Sequence, residues 1–254
     1  MEKLFNLNHK LILVTGSYRG LGLAIAEGLA RAGARVVLNG RNADAVEEAV
    51  AAFAEKGLSA TGCVFDVTDK ASIDKAVTEL EKREREPDVL FNNAGIIERS
   101  PLLETTEESW RRVLDTNLTG AFLVAQRVVP AMVKRGRGKV VNTCSLLSAV
   151  ARDTVASYAA AKSGLKLLTQ SMATEWARFN IQANAIGPGY FNTELTKPLQ
   201  ENAEFDGWIK KRVPAGRWGE PDELVGPAVF LASDASNFVN GQIIYVDGGL
   251  LAQM

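Results

Sequence analysis

The chain has 254 residues, of which 46% are hydrophobic and 23% charged, a composition typical of a soluble globular protein with a single domain. A net charge of −1, with Lys and Arg scattered along the chain, argues against nucleic-acid or membrane-surface binding. Two cysteines and a single histidine, His9, argue against a disulfide framework, a His-based catalytic triad and a metal site. Since neither a signal peptide nor a membrane-spanning apolar run is found, we expect a cytoplasmic protein without a membrane partner.

The first motif is a strand, a glycine turn and a helix. An apolar run over residues 10–14 is followed by Gly16, Gly20 and Gly22, and a helical pattern begins near residue 24. Close backbone approach and the positive end of a helix are what the pyrophosphate of a dinucleotide needs, although such glycines can also serve turn formation alone. Because further strands and helices alternate along the chain, we predict a doubly wound α/β fold that binds a dinucleotide here.

The end of the second predicted strand, residues 34–41, indicates which dinucleotide is bound. Where an NAD site places a carboxylate on the ribose 2′-hydroxyl, this chain has Asn39, followed by Gly40 and Arg41. The missing carboxylate and the available guanidinium favour the 2′-phosphate of NADP, and Arg19 in the glycine turn offers a second cation. The alternative is that both arginines are merely solvated. We predict NADP(H) as the cofactor.

Polar residues also follow the third and fourth predicted strands. Asp66 could accept a hydrogen bond from the adenine amino group, with Val67 offering its backbone, or it could simply cap the next helix. Asn93, followed by Ala94 and Gly95, suits a strand end past which a cofactor runs, but such a run can equally be an ordinary turn. We assign all five residues to the cofactor site.

Asn117 lies among apolar residues in a predicted helix over residues 107–134. A buried asparagine is costly unless its amide is satisfied, so it should bind backbone, water or substrate. A local hydrogen bond that bends the helix is the alternative.

The segment from Ser145 to Lys162 contains the side chains best suited to catalysis. Tyr158 and Lys162 lie four residues apart in a predicted helix, so they share one face. Ser145 follows a strand-like run, which puts its hydroxyl where ligands bind in open α/β sheets. Tyr158 could act as a general acid or base if Lys162 lowered its pKa by about 2–3 units, while Ser145 held the substrate oxygen. By itself a Tyr-x-x-x-Lys pair is weak evidence, because such pairs also arise by chance.

A polar stretch over residues 189–218 follows the sixth predicted strand. It is interrupted by Pro198, Gly207 and Pro214 and carries three consecutive cations at residues 210–212. A long irregular segment after a strand end is typical of a substrate lid, which we predict here. A last helix and a seventh strand follow.

Together these motifs resemble the short-chain dehydrogenase/reductase family over essentially the whole chain. The matching motifs, in order, are Thr15-Gly-x-x-x-Gly-x-Gly, Asn92-Asn-Ala-Gly, Asn117, Ser145, Tyr158-x-x-x-Lys162 and Gly187-Pro-Gly. The resemblance implies a Rossmann fold with a seven-stranded parallel sheet in one domain over residues 1–254, hydride transfer at the nicotinamide, and a homotetramer. It assigns Tyr158 as acid and base and Ser145 as the group that orients the substrate. It also implies that Lys162 lowers the tyrosine pKa and holds the ribose, and that Asn117 keeps a relay water in place.

The cofactor-binding residues predicted in this way come from six regions along the chain. They are Gly16, Ser17, Arg19, Gly20, Leu21, Gly22, Asn39, Arg41, Asp66, Val67, Asn93, Ala94, Gly95, Tyr158, Lys162, Pro188, Gly189 and Thr193.

A closer resemblance is to the gluconate 5-dehydrogenases, the NADP-linked sugar-acid members of that family. It rests on Leu38-Asn-Gly-Arg-Asn, Arg152-Asp153, Gly189-Tyr-Phe with Thr193 and Glu194, Pro214-Ala-Gly-Arg-Trp-Gly and Phe238-Val-Asn-Gly-Gln. The chain departs from them at Leu147 and Ala149, where those enzymes usually carry Gln and Glu, and at Ile97-Glu98-Arg99, where they carry Gln-Arg-Arg.

The resemblance implies interconversion of D-gluconate and 5-keto-D-gluconate, with NADP(H). The substrate residues that we predict are Arg99, Leu147, Arg152 and Tyr190, of which Arg99 or Arg152 would bind the carboxylate unless both are ordinary surface arginines. Two other activities stay open at this point, reduction of a 3-ketoacyl group on a carrier protein and action on another polyol or sugar. A protein that binds NADPH as a redox sensor or scaffold is the non-enzymatic alternative.

Overall fold

A sheet of seven parallel strands runs through the centre of the protein. In the computed structural model, which describes residues 2–194 and 196–253, its spatial order is β3-β2-β1-β4-β5-β6-β7. The strands are β1 (Leu11–Val14), β2 (Arg35–Gly40), β3 (Ala60–Val64), β4 (Val89–Asn92), β5 (Gly138–Thr143), β6 (Ile181–Pro188) and β7 (Ile243–Val246). The chain winds outward from β1 to β3 and then from β4 to β7, so a topological switch point lies between β1 and β4. The predicted fold class is confirmed.

Helices cover both faces of the sheet. They are α1 (Glu2–Phe5), α2 (Gly20–Arg31), α3 (Ala43–Glu55), α4 (Lys70–Arg83), α5 (Glu107–Leu114), α6 (Gly120–Arg135), α7 (Ala156–Trp176), α8 (Lys197–Gln200), α9 (Ala203–Arg212) and α10 (Val225–Ala232). Strand β1 demonstrates the two layers, because Ile12 and Val14 pack with α2, α3 and α10 whereas Leu11 and Leu13 pack with α4 and α6. This alternation along a fully apolar strand is expected of a parallel sheet that is buried on both sides.

The predicted long helix after β4 is interrupted by one irregular turn. Residues Asp115–Thr119 form a π-helical turn that joins α5 to α6 and contains Asn117. Turns of this kind widen the backbone spiral and are frequent at functional sites.

The prediction that residues 189–218 are irregular is wrong. Helices α8 and α9 lie in this segment, and the side chain of Asn202 caps α9 by accepting a hydrogen bond from the Phe205 amide at 3.0 Å. Pro198 is tolerated because it occupies the first turn of α8, where an amide hydrogen has no helical partner. The segment keeps its predicted role as a lid only as a proposal, and Leu195 within it lies outside the described residues.

Within residues 2–194 and 196–253, no helix is long and apolar enough to cross a bilayer.

Candidate active site

The candidate site lies at the carboxyl edge of the sheet, on both sides of the switch point. The glycine turn follows β1, Asn93 follows β4, and Gly189 follows β6. Ser145 lies two positions after the last residue of β5. Parallel strands end at the same edge, so residues separated by more than a hundred positions meet there.

The glycine turn is shaped for a pyrophosphate group. Gly16 and Gly20 have φ angles of 61° and 58°, in the left-handed region that favours glycine. A Cβ atom on Gly22 would lie 2.3 Å from both the Gly16 carbonyl oxygen and the amide nitrogen of Asn93. Helix α2 begins without a side-chain cap and without an acidic residue in its first turn, so its first amide hydrogens are available to an anion. A dinucleotide cofactor therefore fits this turn.

The side chains of Ser17 and Asn39, both predicted to bind the cofactor, are engaged in hydrogen bonds within the protein. Asn39 is 1% exposed, and its amide nitrogen donates to the carbonyl oxygens of Cys63 and Phe65 while its side-chain oxygen accepts from the Gly16 amide. The Ser17 hydroxyl donates to the Val14 carbonyl oxygen and accepts from the Asn39 amide. Both side chains are consumed in bracing the glycine turn against β2 and β3, which is a structural role that the strand end alone did not indicate.

Two guanidinium groups border the end of β2, as predicted. Arg41 is exposed, and its Nη1 lies 3.5 Å from Oδ2 of Asp66. The Arg19 guanidinium lies 5.2 Å from the ring centroid of Tyr18, which in turn covers Gly40. Two exposed cations beside the end of a strand are well placed to bind a phosphate.

Asp66 does not cap the helix that follows it. Its Oδ1 accepts from the amide and the hydroxyl of Thr68, whereas α4 is capped by Asp69, which accepts from the amides of Ala71 and Ser72. Oδ2 of Asp66 contacts Arg41, and hydrogen bonds from Thr68 and that guanidinium lower the pKa of the carboxyl group despite its partial burial. The helix-capping alternative for Asp66 is therefore wrong.

Asn93 ties together three strand ends. Its amide nitrogen donates to the carbonyl oxygens of Thr15 and Gly16, each at 3.0 Å, and its side-chain oxygen accepts from the Thr143 hydroxyl at 3.4 Å. A Cβ on Gly95 would lie 2.6 Å from the side-chain oxygen of Asn117, so the chain must pass there as glycine. The side chain of Asn93 thus holds the site together and leaves the backbone of the following residues to approach a cofactor.

The side chain of Asn117 binds both backbone groups of Ile96, in the segment after β4. Its amide nitrogen donates to the carbonyl oxygens of Ile96 and Val113, both at 2.8 Å, and its oxygen accepts from the Ile96 amide at 3.2 Å. The bond to Val113, four residues earlier, is the local helix bond weighed above, and the pair of bonds to Ile96 is the predicted backbone contact. Asn117 serves both purposes.

Ser145 caps a short turn. A second serine, Ser148, which the sequence did not single out, connects this turn to α7. The Ser145 hydroxyl accepts from the Leu147 amide at 3.1 Å. Ser148 accepts from the Ser145 amide at 3.2 Å and donates to the Lys162 carbonyl oxygen at 2.9 Å. Ser145 and Ser148 have the spacing of a capping box, and this spacing is the sequence signal that could have identified Ser148.

Lys162 is buried beside Tyr158. Its ammonium lies 5.7 Å from the centroid of the Tyr158 ring and donates to the Thr143 carbonyl oxygen at 2.6 Å. Burial lowers the pKa of Lys162 to about 8.

The expectation that Lys162 lowers the pKa of Tyr158 is not met in this structure. Burial raises the pKa of Tyr158 to about 12, although a hydrogen bond with Ser145 and the charge of Arg99 act in the opposite direction. Desolvation of the phenolate is the largest effect on this pKa, while the Lys162 ammonium lies against the ring and is bound to the Thr143 carbonyl oxygen.

Three of the four predicted substrate residues, Leu147, Arg152 and Tyr190, line a cavity of about 640 Å³ together with Leu146, which follows Ser145 in the chain. Arg99 is exposed and is not among the residues that line it. Arg152 donates to the Tyr190 hydroxyl at 3.0 Å, and its guanidinium lies 4.7 Å from the ring centroid of Phe205 on α9. Leu147 lines the same cavity and is 8% exposed. Arg99 lies close enough to Arg152 for the two charges to interact, and partial burial together with that repulsion lowers the pKa of Arg99.

The remaining predicted residues lie around the same edge. Val67 packs on Gly120, Pro188 ends β6, and a Cβ on Gly189 would lie 2.7 Å from the Cα of Asp247. Thr193 shares a hydrogen bond of 3.1 Å with Thr196 at the start of the lid segment.

Comparison with known proteins identifies the family. A family model described as "Enoyl-(Acyl carrier protein) reductase" matches residues 16–251. The chain is 49% identical to the gluconate 5-dehydrogenase of Gluconobacter oxydans strain 621H over 251 residues, which cover 99% of this chain and 98% of that protein. It is 48% identical to the 2-dehydro-3-deoxy-D-gluconate 5-dehydrogenase of Formosa agariphila over 251 residues, 98% of this chain and 95% of that protein. The chain belongs to the short-chain dehydrogenase/reductase family.

A solved structure extends the comparison to the whole fold of this dehydrogenase. The gluconate 5-dehydrogenase of Burkholderia cenocepacia J2315, crystallised in complex with NADP and tartrate, matches with a TM-score of 0.97 and 47% identity, covering 100% of this chain and 99% of that one. The predicted reaction class, oxidation and reduction at CH–OH groups, is confirmed by these relatives.

Replacing Ser148 by Ala in this dehydrogenase is expected to lower the free energy of unfolding by about 1–3 kcal/mol, because the Ser145 amide and the Lys162 carbonyl oxygen would both lose a buried partner. Ser163→Ala is the matched control, since the Ser163 hydroxyl makes only a long bond of 3.4 Å to the Leu147 carbonyl oxygen. Denaturant unfolding of the three proteins checks this. Equal midpoints for the Ser148 variant and the wild type would contradict it.

Proposed function

We propose that the protein is an NADP(H)-dependent oxidoreductase that interconverts a secondary alcohol and a ketone on a sugar acid, with D-gluconate and 5-keto-D-gluconate as the leading pair. The observation that carries this proposal is Arg152 in the lining of the cavity, with Arg99 close enough to interact electrostatically with both Arg152 and Tyr158. Both 5-dehydrogenase relatives described above are named for a sugar acid, and both names specify position 5.

Tyr158 is the proton donor in the direction of reduction. A phenol with a pKa of about 12 keeps its proton at neutral pH, which is the form that a ketone oxygen needs as its partner. When held at the glycine turn, NADPH would supply the hydride to the carbonyl carbon. Ser145 donates a hydrogen bond to the developing alkoxide, and the Lys162 ammonium stabilises the phenolate that remains. In the oxidation direction the same groups act in reverse, with the phenolate accepting the alcohol proton.

The roles of Lys162 toward the ribose and of Asn117 toward a relay water stay predictions. Lys162 has further hydrogens to donate besides the one directed at Thr143, so it can hold a ribose hydroxyl at the same time. The amide of Asn117 is engaged with protein groups, and we infer that it acts by placing the π-helical turn.

A carboxylate is the substrate group that the two arginines favour. No side-chain hydrogen bond or ion pair joins Arg99 to another residue within 2–194 and 196–253. Within the same residues, the carboxylate that pairs with Arg152 is that of Asp153, which is 87% exposed and lies 3.8 Å from the guanidinium. Two guanidinium groups that repel each other are stabilised by an anion bound between them. Tyr190, Phe205 and Trp208 form an aromatic wall on the lid side, with Tyr190 and Trp208 centroids 6.2 Å apart.

Arg19 and Arg41 lie close to the end of β2 and support NADP as the cofactor. The end of β2 offers no carboxylate that could bind a ribose hydroxyl. The Burkholderia relative was crystallised with NADP, which agrees with this proposal.

Initial rates with 5-keto-D-gluconate and NADPH test the proposal directly. We expect turnover by the wild type, and we expect Arg99→Ala to raise the KM for this acid by about 10- to 100-fold, the effect of losing a hydrogen bond between charged groups. The KM for a neutral ketose should stay the same, because no carboxylate is involved. An unchanged KM for the acid would remove Arg99 from the substrate site.

The same assay distinguishes this substrate from the other candidates. The Formosa relative favours 2-dehydro-3-deoxy-D-gluconate as a second candidate, and oxidation of it in preference to gluconate would move the proposal to that acid. Activity on a 3-ketoacyl thioester and on no sugar acid would indicate a carrier-protein reductase. Tight NADPH binding without turnover on any ketone would indicate a sensor or scaffold.

The homotetramer and the cytoplasmic location also stay predictions. Light scattering of the purified protein gives the molecular mass that decides the first of them.

A further inference from the structure

The segment that carries Arg99 is attached to the protein at every second residue. Ile96 is bound through both backbone groups by Asn117, and the Ser100 amide donates to the Thr154 carbonyl oxygen at 2.9 Å. Between them, Glu98 is bound to α5. The intervening Ile97 packs against the same apolar cluster as Tyr158 and Tyr190.

Glu98 is held by a close set of charged contacts. Its two carboxylate oxygens accept from Nε and Nη2 of Arg112 at 2.6 and 2.8 Å, and the Ser109 hydroxyl donates to the same group at 2.6 Å. A guanidinium bound in this fork geometry fixes the orientation of the carboxylate as well as its position. Arg112 also contacts Glu108 on its own helix, but at 3.3 Å and on an exposed surface.

These contacts have two consequences for Arg99. First, the backbone on either side of Arg99 is fixed, which opposes the tendency of a partly buried guanidinium to move away from Arg152 and into water. Second, the carboxylate nearest to Arg99 in the chain is bound to Arg112, so it does not pair with the Arg99 guanidinium, which interacts with Arg152.

We propose that Glu98 is a positioning residue that sets the affinity of the enzyme for acidic substrates, by holding the segment of Arg99 against α5 and by keeping its own carboxylate out of the cavity. This inference rests on the proposed function, since it requires that the substrate be an acid. Glu98 itself does not touch the substrate.

Glu98→Gln tests this, because the amide keeps the size of the side chain and loses the charge that binds Arg112. We expect the KM for 5-keto-D-gluconate to rise about 5- to 20-fold, with kcat within twofold of the wild type and with unchanged KM values for NADPH and a neutral ketose. Glu108→Gln is the matched control, as it removes the other carboxylate at the same guanidinium and should leave all four constants unchanged.

A charge-exchange variant distinguishes loss of the positioning effect from general destabilisation of the fold. In the double variant Glu98→Arg with Arg112→Glu the ion pair is restored in reverse, and the KM for the acid should return to within about threefold of the wild type. Thermal unfolding of each variant accompanies the kinetics. An equal loss of kcat with acid and neutral substrates would mean that the variant is merely destabilised, which would overturn the inference.

The outcomes distinguish the two proposals. If the wild type reduces 5-keto-D-gluconate and Arg99→Ala raises its KM, but Glu98→Gln does not, then Glu98 has no positioning role while the proposed function stands. If the wild type does not act on any sugar acid, the proposed function fails first, and the inference about Glu98 fails with it.

Discussion

Tyr158→Phe is expected to lower kcat for ketone reduction by about 10³-fold. The variant keeps the ring, which packs beside Lys162, and loses only the hydroxyl that donates the proton. General acid catalysis by a positioned side chain contributes about 10² to 10⁴ in rate. Because the ring stays in place, the affinity for NADPH, measured by fluorescence titration, should change by less than threefold.

Tyr245→Phe is a suitable control for this experiment. The Tyr245 hydroxyl is buried near the same end of the sheet and has no hydrogen-bond partner among the described residues. Its removal should leave kcat intact and should not lower the unfolding temperature, since no bond is lost. A Tyr158 variant that kept more than a tenth of the wild-type kcat would show that another group supplies the proton.

The double variant Arg19→Ala with Arg41→Ala is expected to raise the KM for NADPH by about 100-fold and to leave the KM for NADH within threefold. Each guanidinium would lose a charge-assisted hydrogen bond to the 2′-phosphate, worth about 1.5 kcal/mol at such an exposed position, and about 1.4 kcal/mol corresponds to a factor of ten. NADH lacks this phosphate, so neither arginine contributes to its binding through that group. Initial rates with both nucleotides at a fixed ketone concentration give the ratio.

Arg31→Ala controls for a general change in surface charge. Arg31 lies at the other end of α2, is exposed and pairs with Glu27 at 2.5 Å, so its loss should not affect either nucleotide. If the KM values for NADH and NADPH both rose in the double variant, the arginines would support the glycine turn and would not bind the phosphate.

The order and type of the elements could be predicted because they depend on local patterns. The apolar run of β1, the glycines that follow it and the spacing of Tyr158 and Lys162 are each contained within a few neighbouring residues. Periodicity reports which face of an element is buried, and in an alternating chain of strands and helices the parallel sheet follows. Segment boundaries moved by a few residues. The segment over residues 189–218 contains helices because Pro198 lies in the first turn of α8, and a single glycine inside α9 costs only about 1 kcal/mol.

The use of individual polar side chains could not be predicted in this way. Asn39 stands at the position of a cofactor ligand, yet its amide is fully engaged by the backbone of β3 and of the glycine turn. Ser148 connects two catalytic segments, but no residue near it in the sequence indicates that the Lys162 carbonyl oxygen is its partner. Such assignments depend on which distant backbone groups need a partner after folding.

By itself the sequence determined the fold class, the family and the four residues proposed to do the chemistry, because glycine turns, strand ends and helix faces are local properties of the chain. Only the tertiary structure decided the electrostatics of the site: the elevated pKa of Tyr158, the position of Lys162 against its ring, and the approach of Arg99 to Arg152. The physical reason is that a pKa and the interaction of two charges depend on burial and distance, and these are set by contacts between segments far apart in the sequence.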